Sequence, residues 1–206
     1  MPDEELTLAA GKRARSSAPV HPIIAERWSP RALDADVVLT DRQLRSLLEA
    51  ARWAASYGNT QPARYIVGRR GEDTFDRIHG VLNSGNRSWT HAAAALLLGV
   101  AVTRNAKGDI PLAEYGVGLA SQNLVLQAVA EGLVAHQMAG FDADAARAEF
   151  GLPEDARPLV AIAVGGLGDP ATLDERRRDR EVAERTRLDL GEIAFGGQWG
   201  VPYFQV

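Results

Sequence analysis

From Pro111 to Leu133 the chain carries its longest helical pattern, apolar over most of the circumference such a helix would present. A helix apolar all round belongs in an interior, so this stretch predicts a central helix enclosed by other elements. Gly116, Gly118 and Ala120 on it are small. They let another backbone approach closely, which suits a crossing helix from the same chain or from a second subunit. The second half of Ala92–Thr103 reads as a buried strand, and Leu159–Val164 is another. Gly165-Gly166-Leu167-Gly168 after it reads as a loop. Arg64–Val67 and Leu133–Met138 are two more strands; Pro22–Arg27, Gly71–Ile78 and a segment opened by Asp142 and ending at Phe150-Gly151 are short helices. Thr40 offers an N-cap for a helix carrying Leu44, Leu47, Leu48 and Ala51 at helical spacing. Helices alternating with strands, with no repeat and no dividing linker, predict layers of helix around one sheet. Residues 1–18 are polar and irregular and read as a flexible tail; 19–206 read as one domain, closing in a basic stretch from Arg176 and an aromatic, glycine-rich segment, Phe195–Phe204.

The bulk properties remove several classes of function. With 206 residues, 46% of them apolar and 24% charged, the chain has enough material for a full globular core. A net charge of -4 leaves no basic footprint for nucleic acid. The absence of cysteine rules out disulfides, thiolate metal sites and thiol catalysis. His21, His79, His91 and His136 lack metal-ligand spacing, so no metal is expected. His136 stands out because a possible ligand loop, Met138–Asp142, follows it. No apolar run reaches the ~18 residues that span a bilayer, and the start carries no charged-then-apolar leader pattern. A cytoplasmic protein with no membrane partner is expected.

Three polar groupings remain as candidate sites. Arg52–Pro62 ends a helix and continues through Ser56-Tyr57-Gly58-Asn59-Thr60-Gln61, a loop dense in amides and hydroxyls that can aim donors and acceptors at a flat heterocycle. Gly58 and Asn59 would equally serve to stop a helix. Arg27 and Arg31 flank Ser29, while Arg185 and Arg187 lie near the other end of the chain. Guanidinium forks match phosphate geometry, yet each pair alone could be a solvated face; they gain meaning only if the fold unites them. Gly116-Val117-Gly118 imitates a dinucleotide fingerprint but sits inside a helix instead of following a strand, so that reading fails.

In order along the chain, Arg27-Trp28-Ser29-Pro30-Arg31, Ala51–Pro62, Gly116–Leu124, Ala139-Gly140-Phe141-Asp142, Glu149–Pro153 and Arg185-Thr186-Arg187 resemble the FMN-dependent nitroreductase family. No one of these segments is specific; the ordered set is. The resemblance implies an α+β fold, a three-layer α/β/α arrangement with a central, mostly antiparallel sheet, assembled as an intertwined homodimer. It implies FMN held by Arg27 and Ser29 at the phosphate and ribityl end, with Trp28 also against the cofactor, Arg31 beside the pyrimidine edge, and Asn59 and Gln61 on polar edges of the ring. Ala139 and Gly140 would offer backbone amides near N5, and Arg185 and Arg187 would complete the phosphate site, contributed from a different chain if need be. The activity implied is hydride transfer from NADH or NADPH to the flavin, then reduction of a nitroaromatic, quinone, enone or flavin by ping-pong turnover. A reductive dehalogenase, a flavin-consuming enzyme, an oxidase, or a flavin-binding protein without turnover are the alternatives. Ala55 and Ala63 depart from the family's usual proline and aromatic residue and would widen the space near the loop. Leu188-Asp189 replaces the usual Lys-Pro.

Overall fold

Residues 11–204 are described by a computed structural model, and the twelve-residue strand Ala156–Leu167 organises them. The elements run α1 (Pro22–Glu26), β1 (Leu33–Asp34), α2 (Asp41–Arg52), β2 (Ala63–Arg69), α3 (Asp73–Val81), α4 (Ser84–Thr90) and β3 (Ala95–Val102). A short hairpin, β4 (Arg104–Asn105) and β5 (Gly108–Asp109), leads to α5 (Ala113–Ala130), β6 (Val134–Met138), α6 (Ala143–Glu149), β7 (Ala156–Leu167) and α7 (Glu175–Val182). β7 pairs antiparallel with β3, β6 and β1, and β3 pairs antiparallel with β2, giving a five-stranded sheet.

Side-chain alternation along the strands divides the core in two. Leu97, Ala135, Ile162 and Val164 face α2 and α5, meeting Leu44, Leu47, Ala120 and Leu124. Their neighbours Leu96, Val134, Ala161 and Ala163 face the other way, onto Phe75 and Ile78 of α3 and Trp89 of α4. Because both faces are covered, β3 is apolar almost throughout instead of alternating, which is why its sequence alone is ambiguous. Each fully buried leucine, such as Leu47 or Leu124, contributes about 1.5–3 kcal/mol through removal of apolar area from water. The fold is therefore α+β with a central antiparallel sheet between helical layers.

The Thr40 cap is a full capping box: Gln43 N donates to Thr40 Oγ1 at 3.2 Å, and Thr40 N donates to Gln43 Oε1 at 3.1 Å. Asp142 likewise caps α6, accepting from Ala145 N at 2.9 Å.

Three expectations change. The stretch read as a loop, Gly165-Gly166-Leu167, continues β7, and only Gly168 leaves the strand. The reason is steric: a Cβ on Gly166 would sit 2.5 Å from Val37 Cγ2, so glycine here admits the neighbouring chain and does not mark a turn. The basic stretch after Arg176 contains α7, started by Asp174, whose carboxylate accepts from Arg177 N at 2.9 Å. The central helix is shorter than its apolar pattern, because Leu112 adopts φ 57 and the helix begins only at Ala113. It is also covered on one side only: Tyr115 on it is 64% exposed.

The tail expected over residues 1–18 lies outside the described residues as far as residue 10. Within its described part Lys12 is buried and Ala14 N donates to Ala25 O at 2.9 Å, while residues 15–18 are exposed. Among the described residues no helix is long and apolar enough to cross a membrane.

Candidate functional site

The loop from Arg27 to Ala32, between α1 and β1, is held from two sides. Glu181 of α7, only 1% exposed, accepts from Arg31 N at 2.8 Å and Ala32 N at 2.9 Å through one carboxylate oxygen. His136 of β6 places Nδ1 2.8 Å from Pro30 O; a carbonyl only accepts, so the imidazole carries its proton on Nδ1. The His136 ring also packs against Trp89, with centroids 4.8 Å apart. Burial pushes the His136 pKa down to about 4; hydrogen bonds to the carbonyls of Pro30 and Ser29 oppose this, while the charges of Arg31 and Arg27 add to it. His136 is thus a neutral strut beneath two arginines.

On that loop Arg27 donates to Ser29 Oγ at 3.1 Å. Burial, followed by the like charges of Arg185 and Arg187, holds its guanidinium below the ordinary pKa. The same applies to Arg185, through burial and Arg187, with Glu26 partly compensating. Arginines from the two ends of the sequence therefore converge within a single chain, and no second chain is needed to unite them. Among the described residues none of Arg27, Arg31, Arg185 or Arg187 forms an ion pair with a carboxylate side chain. Arginines held close together without an ion pair, one of them bonded to a serine hydroxyl, are suited to receive an anion with several acceptor oxygens.

Trp28 packs against the N-terminal segment, where Lys12 Nζ lies 4.9 Å from its ring centroid. Arg31 lines a cavity of about 490 Å³ together with Trp89, His91, Leu167, Asp169 and Arg177. Beyond β6, Gly140 O accepts from Asn83 N at 3.0 Å and Asn86 Nδ2 at 2.9 Å. The amides of Ala139 and Gly140 have no acceptor among the described residues, and Ala139 is exposed.

The Ser56–Gln61 loop lies elsewhere. Gly58, Asn59 and Gln61 all have positive φ, at 52°, 55° and 50°. For Asn59 and Gln61 this left-handed backbone is uncommon and is held by local bonds, such as Gln61 N donating to Ser56 Oγ at 3.0 Å. The Asn59 side chain is exposed and unpaired among the described residues. Ser56 and Gln61 line a cavity of about 250 Å³ with Leu48, Ala55, Tyr65 and Gly116, and none of the clustered arginines lines it. Two groups of candidate residues thus occupy two separate places on one chain.

Sequence reasoning passed over Lys12 and Glu181. Nothing in the local pattern marks either; each matters only for what the fold brings against it.

A central antiparallel sheet between helices, with arginines from both ends of the chain gathered beside the loop before β1, defines the class of this protein as α+β. Comparison with known proteins sharpens this. The sequence model of the Nitroreductase family matches residues 24–87 and 82–166, and the chain belongs to that family. A 15.4 kDa uncharacterised protein of Mycolicibacterium smegmatis is 42% identical over 147 residues, covering 68% of this chain and 99% of its own. A Streptomyces coelicolor protein provisionally named NADH dehydrogenase/NAD(P)H nitroreductase is 28% identical over 166 residues, 70% of this chain and 81% of its own. Among solved structures, an oxidoreductase containing FMN superposes with TM-score 0.86 at 28% identity, over 93% of this chain and 98% of the other.

Proposed function

We propose that this chain is an FMN-dependent oxidoreductase using NADH or NADPH. The observation that carries the reading is the meeting of Arg27, which donates to Ser29, with Arg185 and Arg187, none of the three in an ion pair with a carboxylate side chain among the described residues. Family membership and the FMN in the superposed oxidoreductase support it. The chemistry supplied by bound FMN is two-electron transfer from the nicotinamide to a nitroaromatic, quinone, enone or flavin acceptor, in ping-pong order.

The chain's own residues bind and orient. Arg27, Arg185, Arg187 and the Ser29 hydroxyl grip the phosphate. Arg31, on a loop fixed by Glu181 and His136, offers a cation to the pyrimidine edge, where negative charge grows on reduction. The free amides at Ala139 and Gly140 donate toward the reacting edge of the ring. Asn59 and Gln61 sit apart from these groups on one chain, so we assign them to the site of a second copy, in an intertwined homodimer. Exposed apolar side chains at Tyr115, Leu188, Ile193, Trp199 and Tyr203 supply surface for such an assembly.

The test is direct. Purified protein should bind FMN, show a flavin absorbance spectrum and reduce a quinone with NADH or NADPH. A protein that neither binds added FMN nor gains nicotinamide-linked reduction overturns the proposal.

A further inference from the structure

We infer that the segment Gly11–Arg15 is a strap that presets the arginine cluster, with Lys12 as its positioning residue. The inference rests on the phosphate-site reading above and extends it to a part of the chain outside the stretch matched by the family.

The strap is tied at both ends of the sequence. Arg185 donates through one nitrogen to Lys12 O at 2.6 Å and to Ala25 O at 2.9 Å, so the strap's own carbonyl sets the direction of that guanidinium. Lys12 Nζ donates back to Ala183 O, two residues before Arg185, and stands over Trp28, next to Arg27. Ala14 N closes the arrangement by donating to Ala25 O. Ion pairs flank it, Arg13 with Glu26 at 2.5 Å and Arg15 with Glu184.

Lys12 is 8% exposed, an uncommon place for a lysine, and burial lowers its pKa while the nearby Glu181 carboxylate opposes the shift. An ammonium held in such a place needs all its partners to justify its desolvation. Arginines of like charge repel, and the cluster has no carboxylate bridge of its own. Fixed carbonyls on the strap and on α1 hold Arg185 beside Arg27 before any ligand arrives. That preorganisation favours the ligand's phosphate specifically, since the strap reaches the cluster and not the Asn59 loop.

The test compares FMN with riboflavin, which lacks the phosphate. The full chain, dialysed free of flavin, is titrated with each and binding read by fluorescence quenching. Wild type should prefer FMN. Lys12→Met, which keeps the stem but removes the donor and the cation, should lose about tenfold in FMN affinity, the weight of one charge-assisted hydrogen bond, with riboflavin affinity unchanged. Lys12→Arg should recover most of the FMN preference. An unchanged preference in Lys12→Met, or an equal loss for both flavins, overturns the strap. A wild type with no preference for FMN overturns the phosphate site itself, a different result. If Lys12→Met does not fold, Lys12→Gln is read by the same criteria.

Discussion

His136 should make the protein lose stability between pH 6.5 and pH 4, and a single substitution isolates the effect. In the fold its pKa falls from 6.5 to about 4, mainly through burial, with Arg31 and Arg27 adding to it. The unfolded chain takes up a proton near 6.5 while the folded chain refuses it until about 4. Unfolding therefore binds protons in that window, and stability falls as pH falls. A difference of about 2.5 pKa units at ~1.4 kcal/mol each gives a limiting loss of ~3.5 kcal/mol, of which ~3 kcal/mol is reached by pH 4. His136→Asn keeps an amide donor for Pro30 O near the Nδ1 position and removes the titration. Urea unfolding of both proteins from pH 7 to pH 4, in acetate and MES rather than phosphate so that no buffer anion loads the arginines, supplies the comparison. Other acid-labile groups cancel in the difference. Wild type should be more sensitive to acid than the variant by about 3 kcal/mol over the window, against total stabilities of order 5–15 kcal/mol. Parallel curves would refute the reasoning, because they would mean that His136 titrates normally and is not enclosed beneath the arginine loop.

Replacing Arg187 by Ala should weaken FMN binding about tenfold or more while sparing the rate of flavin reduction, and Arg31→Ala should do the reverse; equal effects on both properties in both proteins defeat the division of roles. At an FMN concentration too low to load either variant alone, mixing Arg187→Ala with Asn59→Ala subunits should restore activity, to about a quarter of wild type at equal stoichiometry, since half of the mixed dimers' sites are intact; no recovery after subunit exchange argues that both residues serve one chain's site. Gly116→Ala should lower the melting temperature. Its Cβ would stand 2.8 Å from Pro62 Cγ, and an overpacking cost of ~1–3 kcal/mol outweighs the ~1 kcal/mol gained in helix propensity.

Much of the architecture is legible in short windows because its causes are local. The Thr40–Gln43 capping box, the Asp142 cap and the leucines of α2 each declare a helix within a few residues. Gly166 misleads for the opposite reason. Its small side is required by Val37, far away in the chain, and a glycine-rich run reads as a turn until that neighbour is known. α7 is hidden by its charge: a short helix rich in arginine has almost no apolar face to betray it, and its buried Glu181 looks like one more surface carboxylate.

The candidate site divides along the same line. The sequence by itself determined the residue types and their order: Arg27-Trp28-Ser29 and Asn59-Thr60-Gln61 lie in the stretch matched by the family, and Arg185-Thr186-Arg187 follows beyond it. Only the tertiary structure decided which of them meet. Like-charged arginines have no attraction that would foretell their convergence; they are brought together by β7 pairing with three strands, by Glu181 seizing the amides of Arg31 and Ala32, and by Lys12 presenting its carbonyl to Arg185. The same packing leaves the Asn59 loop at a cavity of its own. Local order depends on a residue and its near neighbours, whereas a site assembled from both ends of a chain depends on strand register and on which carbonyls and carboxylates the fold places against it.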